Sequence, residues 1–129
     1  MNYVADTHAL VWWFTNGPQI GSRAAQVFER CENGECCIFI PSIVIAEALS
    51  IFDKKRISFD FQALFGAIHE SDNFFIVSLD YEILREMVAL KEIAELHDKI
   101  IVSTANHLNL PIITKDQIIR ASQIVETIW

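Results

Sequence analysis

The 129-residue chain is poor in basic residues. Its 10 Lys and Arg residues face 17 Asp and Glu residues, which gives a formal net charge of −7. This balance argues against a nucleic-acid binder that depends on a broad basic surface. It is compatible with an enzyme that reaches phosphates through metal ions, and it favours a protein partner that carries a basic segment.

Cysteine is also scarce, and its pattern indicates reduced thiols rather than a disulfide framework. Cys31, Cys36 and Cys37 are an odd number. We do not expect the apolar N-terminal run to be a secretory signal, because no basic region precedes it and it contains Asp6. We therefore expect a cytoplasmic protein. The cysteines lack the two-pair spacing typical of zinc sites, so we interpret them as small buried apolar side chains.

Long apolar runs and linkers are missing as well. No stretch reaches the roughly 20 apolar residues that a membrane span requires. The apolar run at residues 36–52 is interrupted by Pro41 and Glu47. No linker, repeat or low-complexity segment divides the chain, so we expect residues 1–129 to form a single domain.

Short apolar runs alternate with amphipathic segments. We predict strands at residues 2–7, 36–40, 74–79 and 111–114, with a fifth, edge strand at 124–129. We predict helices at residues 8–16, 23–33 (capped by Ser22), 42–56, 59–70, 81–96 and 98–109, and a short helix from Asp116. This alternation predicts a three-layer α/β/α fold with a central, mostly parallel sheet of four or five strands. Ligands of such sheets bind beyond the carboxyl ends of the strands.

Four acids lie against apolar elements: Asp6, Glu47, Asp98 and Asp116. Glu47 is the only charge within residues 36–52, and Asp6 is the only one in the first 22 residues. A buried charge costs several kcal/mol unless it is paired or coordinated. Asp6 and Asp116 follow predicted strands directly, at the edge of the sheet where ligands bind.

The alternative for the three aspartates is helix capping, because each precedes a predicted helix and Asp is a favourable N-cap. Capping does not account for Glu47, which lies in the middle of a predicted helix. There it shares the apolar stripe with Val44 and Ile51, and the sequence offers no obvious cation as its partner.

If the fold gathers the four acids, their repulsion has to be relieved. Two like charges ~4 Å apart repel by ~4 kcal/mol at an effective dielectric constant of about 20. The cluster therefore needs a divalent cation or raised pKa values. Ligation by oxygen alone favours Mg²⁺ or Mn²⁺, and the histidines lack the paired spacing of a zinc site. Such an ion can generate a hydroxide nucleophile and stabilise charge on a phosphate.

The segments around these acids resemble the motifs of PIN-domain nucleases, more narrowly the VapC-type toxins of toxin–antitoxin pairs. ADTHALVWWF at residues 5–14 is similar to the family's first-strand motif, and PSIVIAEAL at 41–49 to the helix that carries its Glu. DKIIVSTA at 98–105 and PIITKD at 111–116 resemble its third and fourth motifs. Together the four segments extend the resemblance over essentially the whole chain.

The resemblance implies an acidic quartet of Asp6, Glu47, Asp98 and Asp116 that binds Mg²⁺ or Mn²⁺, with Thr114 and Thr7 as supporting hydroxyls. It further implies endonucleolytic cleavage of RNA, a small antitoxin partner with a basic C-terminal segment, and a homodimer. The chain departs from the family at residues 95–98, which read Glu-Leu-His-Asp where many members have Asp-Pro-x-Asp. Ser103 replaces a common Ala.

Two other functions fit parts of the sequence. A non-catalytic PIN-like module would bind RNA or protein, but it would have no reason to tolerate four repelling acids. A phosphorelay receiver domain has a similar length and acidity and would use Asp80 as phosphoacceptor with Lys115 as the partner lysine. That function lacks an adjacent acid pair near the first strand and leaves Glu47 unexplained.

Several neighbouring residues have simpler interpretations. His8 and His97 adjoin the acids and are interpreted as ordinary hydrogen-bonded histidines. Trp12 and Trp13 are adjacent, so we expect one to face the core and the other to be exposed and to mark an interface. The basic cluster at residues 54–56 is interpreted as a solvated helix end rather than a phosphate-binding patch.

Overall fold

Five parallel strands form the centre of the protein in a computed structural model that describes residues 1–129. The strands are β1 (Tyr3–Ala5), β2 (Ile38–Pro41), β3 (Phe74–Val77), β4 (Ile112–Ile113) and β5 (Thr127–Ile128). Their order in the sheet is β3-β2-β1-β4-β5, and every neighbouring pair is parallel. Because the chain first builds outward from β1 on one side and then on the other, the switch point lies between β1 and β4.

Seven helices connect the strands: α1 (Thr7–Phe14), α2 (Ser22–Glu32), α3 (Ser42–Lys55), α4 (Phe61–Glu70), α5 (Tyr81–Ala89), α6 (Leu96–Leu108) and α7 (Gln117–Ser122). The reversal at β1 places them on both faces of the sheet, since parallel crossovers are right-handed. The predicted α/β fold with a central parallel sheet is therefore confirmed, and the predicted fifth strand is present. None of the helices has the length and apolar content needed to cross a membrane.

The central strands explain the solid apolar runs of the sequence. Val4 and Ala5 of β1 and Ile112 and Ile113 of β4 are completely buried. Val4 pairs in register with Phe39 of β2 on one side and with Ile112 on the other. Because helices cover both faces of the sheet, the side chains on either face of these strands are buried. The strands are therefore apolar throughout and do not alternate between apolar and polar residues.

The long helix predicted at residues 81–96 is wrong. Helix α5 ends at Ala89, and α6 begins at Leu96. Between them, Leu90 and Ile93 are both buried in the core, which turns the chain out of its helical path. Glu95 then caps α6. The segment is rich in good helix formers, so burial has overridden local propensity here.

Helix α2 also begins differently from the prediction. Its N-cap is Gly21, and Ser22 is the first helical residue, with no side-chain cap bond. Gly21 lies against the C-terminus, where a Cβ atom would come within 2.5 Å of the backbone carbonyl carbon of Trp129. The position therefore needs glycine for the close approach of Trp129.

The cysteines agree in part with their interpretation as buried apolar side chains. Cys31 and Cys36 are buried, Cys37 is partly exposed, and all three thiols are free. Burial raises the pKa of the Cys31 thiol to about 12, which keeps it protonated and unreactive.

Ser103 gives a stability test, because its buried hydroxyl oxygen has no hydrogen-bond partner. Ser103→Ala removes this unsatisfied group and adds helix propensity. We expect the free energy of unfolding to rise by roughly 1–3 kcal/mol in urea denaturation. The control is Ser122→Ala, which removes a hydroxyl that donates to the carbonyl oxygen of Ile119 at 2.6 Å and should not stabilise the protein. A destabilised Ser103→Ala protein would contradict the prediction.

Candidate active site

Asp6 occupies the switch point of the sheet. Its backbone N–H donates to the carbonyl oxygen of Ile113 at 3.2 Å, which ties it to β4. Its Oδ1 accepts a hydrogen bond from the N–H of Ala9 at 2.9 Å and so caps α1. Its backbone is thus fixed to β4 and its side chain to α1, and the residue is only 7% exposed.

Thr114 and Asp116 follow β4, next to Asp6. Thr114 is completely buried, and its hydroxyl oxygen accepts from the N–H of Asp116 at 3.0 Å. Burial raises the pKa of Asp6, and the same hydroxyl acts on the Asp6 carboxylate to lower it. Asp116 Oδ1 in turn accepts from the N–H of Ile119 at 2.9 Å and caps α7. Thr114 therefore links the two aspartates.

Glu47 projects from the middle of α3 and has partners that the sequence did not reveal. Its Oε1 accepts a short hydrogen bond from the Thr7 hydroxyl, and its Oε2 lies 3.1 Å from Nδ1 of His97. The side chain is 27% exposed. The expectation that Glu47 shares the buried stripe of α3 is wrong, because Val44 and Ala48 are buried whereas Glu47 is partly exposed.

Asp98 lies in the first turn of α6 and is not its cap. Glu95 takes that role, since its Oε2 accepts from the N–H of Asp98 at 2.7 Å and its Oε1 lies 2.8 Å from Nδ1 of His97. Partial burial acts to raise the pKa of Glu95, but these hydrogen bonds outweigh it and lower that pKa. Capping accounts for Asp6 and Asp116 but not for Asp98, whose carboxylate is free to face the cleft.

All four acids line one cleft of about 570 Å³ at the carboxyl end of the sheet, together with Thr7. The other lining residues are His8, Trp12, Ile101, Lys115 and Gln117. As the side chains stand, no three His, Cys, Asp or Glu residues form a group that is ready to hold a metal ion. The fold thus brings the predicted residues to one place without setting them in a coordination geometry.

The cleft disfavours the charged form of two of its carboxylates, those of Asp6 and Asp98. Burial raises the pKa of Asp6 to about 6, against hydrogen bonds from Thr114 and Ala9 that lower it. Burial also raises the pKa of Asp98 to about 6, with the negative charges of Asp116, Glu95 and Glu47 adding to the shift. At neutral pH both carboxylates are held in a costly charged state.

The donor set fits a hard divalent cation. It consists of carboxylate and hydroxyl oxygens, which suit Mg²⁺ or Mn²⁺ better than zinc. The only Lys or Arg that lines the cleft is Lys115. Its ammonium lies over the Trp12 ring, 4.5 Å from the ring centroid. An added cation would offset the cost of keeping Asp6 and Asp98 charged, which comes first from burial and then from the neighbouring negative charges.

Sequence reasoning missed part of this site. The sequence suggests a role for Lys115 only as a partner of Asp80, and this receiver interpretation is wrong: Asp80 caps α5 through Ile83 and does not line the cleft. The expectation of one exposed tryptophan is also wrong, because both are partly buried. Trp12 lines the cleft one turn after His8, a spacing on α1 that could have placed it beside Asp6.

A model of the PIN domain family matches residues 3–123 of the chain. Among curated protein sequences, none matches it.

Solved structures share the fold over the full length of the chain. The chain is similar to VapBC2 from Rickettsia felis, solved bound to a DNA fragment from its promoter, with a TM-score of 0.74 and 19% identity. That alignment covers 99% of this chain and 98% of the other. A toxin–antitoxin complex from Klebsiella pneumoniae has a TM-score of 0.70 and 23% sequence identity to this chain. FitAcB from Neisseria gonorrhoeae has a TM-score of 0.66 and 16% identity. Each of these two alignments covers 98% of this chain and 96% of the other. Because the family model matches well over half of its length, the chain belongs to the PIN domain family.

Proposed function

We propose that this chain is a Mg²⁺- or Mn²⁺-dependent endoribonuclease and the toxin component of a toxin–antitoxin pair, with residues 1–129 as one catalytic domain. The observation that carries the proposal is the convergence of Asp6, Glu47, Asp98 and Asp116 on one cleft. They come from four separate parts of the chain, at the switch point where parallel sheets bind ligands. Membership of the PIN domain family, in which nuclease activity is general, supports the same conclusion.

The four acids of the cleft would hold the metal ion. A bound Mg²⁺ or Mn²⁺ supplies an activated water and offsets negative charge on the phosphate. Thr114 positions Asp6 and Asp116 relative to each other, because its hydroxyl contacts both. Thr7 orients Glu47 by donating to Oε1, and Oε2, which lies 3.1 Å from Nδ1 of His97, would bind the ion or accept a proton from water in place of that contact.

The proposed partners follow from charge and from the similar structures. Two of these are described as VapBC2 and as a toxin–antitoxin complex, and we extend that association to this chain. Its net charge of −7 and its acidic cleft would attract an antitoxin with a basic C-terminal segment. We further propose that the protein is a homodimer and that it acts on RNA in the cytoplasm.

Asp98→Asn tests the nuclease. Asn keeps the size of the side chain and disturbs no cap, since Glu95 caps α6. We expect RNA cleavage with Mg²⁺ to fall by more than about 100-fold, beyond the loss that is typical when a residue behind a metal ligand is changed. The increase in melting temperature on adding Mg²⁺ should shrink as well, because metal bound to the folded state stabilises it.

The matched control is Asp80→Asn, which makes the same change at a helix cap outside the cleft and should cleave RNA normally. Cleavage by Asp98→Asn at the wild-type rate would refute the site.

Expression of the wild type, but not of Asp98→Asn, should arrest growth. Growth that continues normally despite active nuclease would refute the toxin role alone.

The raised pKa values predict how stability depends on pH. Asp6 and Asp98 titrate at about 6 in the folded protein and near 3.8 when unfolded, so the folded state binds more protons between these values. Without metal, stability should therefore fall as pH rises from about 4 to about 6. Saturating Mg²⁺ should restore stability above pH 6.

Thermal melts of the wild type and Asp98→Asn across this range test the effect, since the variant lacks both the charge of Asp98 and its repulsion of the neighbouring acids. The wild type should lose more stability than the variant as the pH rises. Parallel pH profiles without metal would show that Asp98 carries no raised pKa.

A further inference from the structure

The cleft has a second chemical character besides its acids. Trp12 and Lys115, here called the Trp12–Lys115 wall, line the same cleft as Asp6 and Asp116. Lys115 directly precedes Asp116 in the chain, and its ammonium lies 4.5 Å from the centroid of the Trp12 ring. An aromatic face and the only lysine of the cleft therefore stand together beside the carboxylates.

The Trp12 ring is supported from behind. The ring of Trp129 packs edge-on against it, with centroids 5.7 Å apart. The N–H of Gly17 donates to the carbonyl oxygen of Trp12 at 2.8 Å, and a Cβ atom at Gly17 would lie 3.2 Å from Trp12 Cβ and Cδ1. With these neighbours close behind it, the indole is a preorganised flat surface on the wall of the cleft.

Lys115, in contrast, is held only by its contact with the Trp12 ring. The residue is exposed, and it makes no ion pair or hydrogen bond through its side chain; its contact with Trp12 is a cation–π interaction. Such a contact at an exposed site is weaker than the stacking of a nucleobase on an aromatic ring. A base that enters the cleft can therefore displace the ammonium from the ring.

We propose that the Trp12–Lys115 wall binds a nucleotide of single-stranded RNA next to the phosphate that is cleaved. Trp12 stacks on the base, and the displaced ammonium of Lys115 contacts the phosphate. The inference rests on the proposed nuclease function and specifies its substrate. The strand has to be single, since a base inside a duplex has no free face to offer to Trp12.

The wall also answers a problem of charge. Four carboxylates repel RNA, and the protein has no broad basic surface. Stacking is insensitive to this repulsion, and Lys115 places the one favourable charge beside Asp116. Because every base has an aromatic face, this recognition tolerates different sequences.

The test is the affinity for a fluorescein-labelled RNA hexamer, measured by anisotropy with Mg²⁺ across a salt series. All variants carry Asp98→Asn, so that the RNA is not cut. Trp12→Leu should weaken binding by about 5- to 100-fold without changing the salt dependence, whereas Trp12→Phe should lose less because it retains a ring. Lys115→Ala should reduce the slope of log K against log salt by about 0.7, the value for one phosphate contact to a single strand.

Two matched controls make the comparison specific. Lys54→Ala removes the same charge at the exposed C-terminal end of α3 and should leave the slope unchanged. Trp13→Phe alters the neighbouring tryptophan, which stacks on Phe28, and should keep the quenching of tryptophan fluorescence by RNA. Trp12→Phe should abolish that quenching.

Unchanged affinity in Trp12→Leu and Lys115→Ala would overturn the proposal, as would an equal loss in Lys54→Ala or equal binding of duplex RNA.

Kinetics in the wild-type background separate this inference from the nuclease itself. If Trp12→Leu raises KM and leaves kcat nearly unchanged, both stand. If the wild type cleaves RNA and Trp12→Leu has the same KM as the wild type, the role of the Trp12–Lys115 wall is refuted and the nuclease function is retained. If the wild type does not cleave but the wall binds RNA as described, the nuclease is refuted and only the RNA-binding part of the inference is retained.

Discussion

Mutual repulsion among the carboxylates at the end of the sheet is the constraint on which the site depends. A pair of like charges ~4 Å apart repels by ~4 kcal/mol at an effective dielectric constant of about 20. A small domain has only about 5–15 kcal/mol of stability. The surrounding structure offsets part of the repulsion: Asp6 and Asp116 sit at helix N-termini, where the helix dipole favours a negative charge by about 0.3–1 kcal/mol. Burial raises the pKa values of Asp6 and Asp98, and repulsion from neighbouring carboxylates adds to both shifts.

The parallel sheet is what brings these acids together. Strands that run in one direction end at the same edge, so the residues after β1 and β4 become neighbours. Helices α3 and α6 contact each other and the central strands, and they carry Glu47 and Asp98 to that edge. Residues far apart in the chain thus meet because the apolar strands between them are buried.

Capping and a functional role coexist in this site. Asp6 and Asp116 each satisfy a helix N-terminus with one carboxylate oxygen and line the cleft as well. Asp98 is relieved of capping by Glu95. The two interpretations of the aspartates are therefore not exclusive, and among the three aspartates only Asp98 can be substituted to test the cleft without disturbing a helix cap.

The sequence alone determined the strands, most of the helices and the identity of the four cleft acids. These features are local: an apolar run predicts a buried strand, and a lone charge within such a run is conspicuous wherever the chain folds. Tertiary structure alone decided which groups face each other. Thr7 and His97 contact Glu47 from other elements, and Lys115 lies over Trp12. The helix break before Glu95 has the same origin, because burying Leu90 and Ile93 depends on the space left by the rest of the core, which no local pattern encodes.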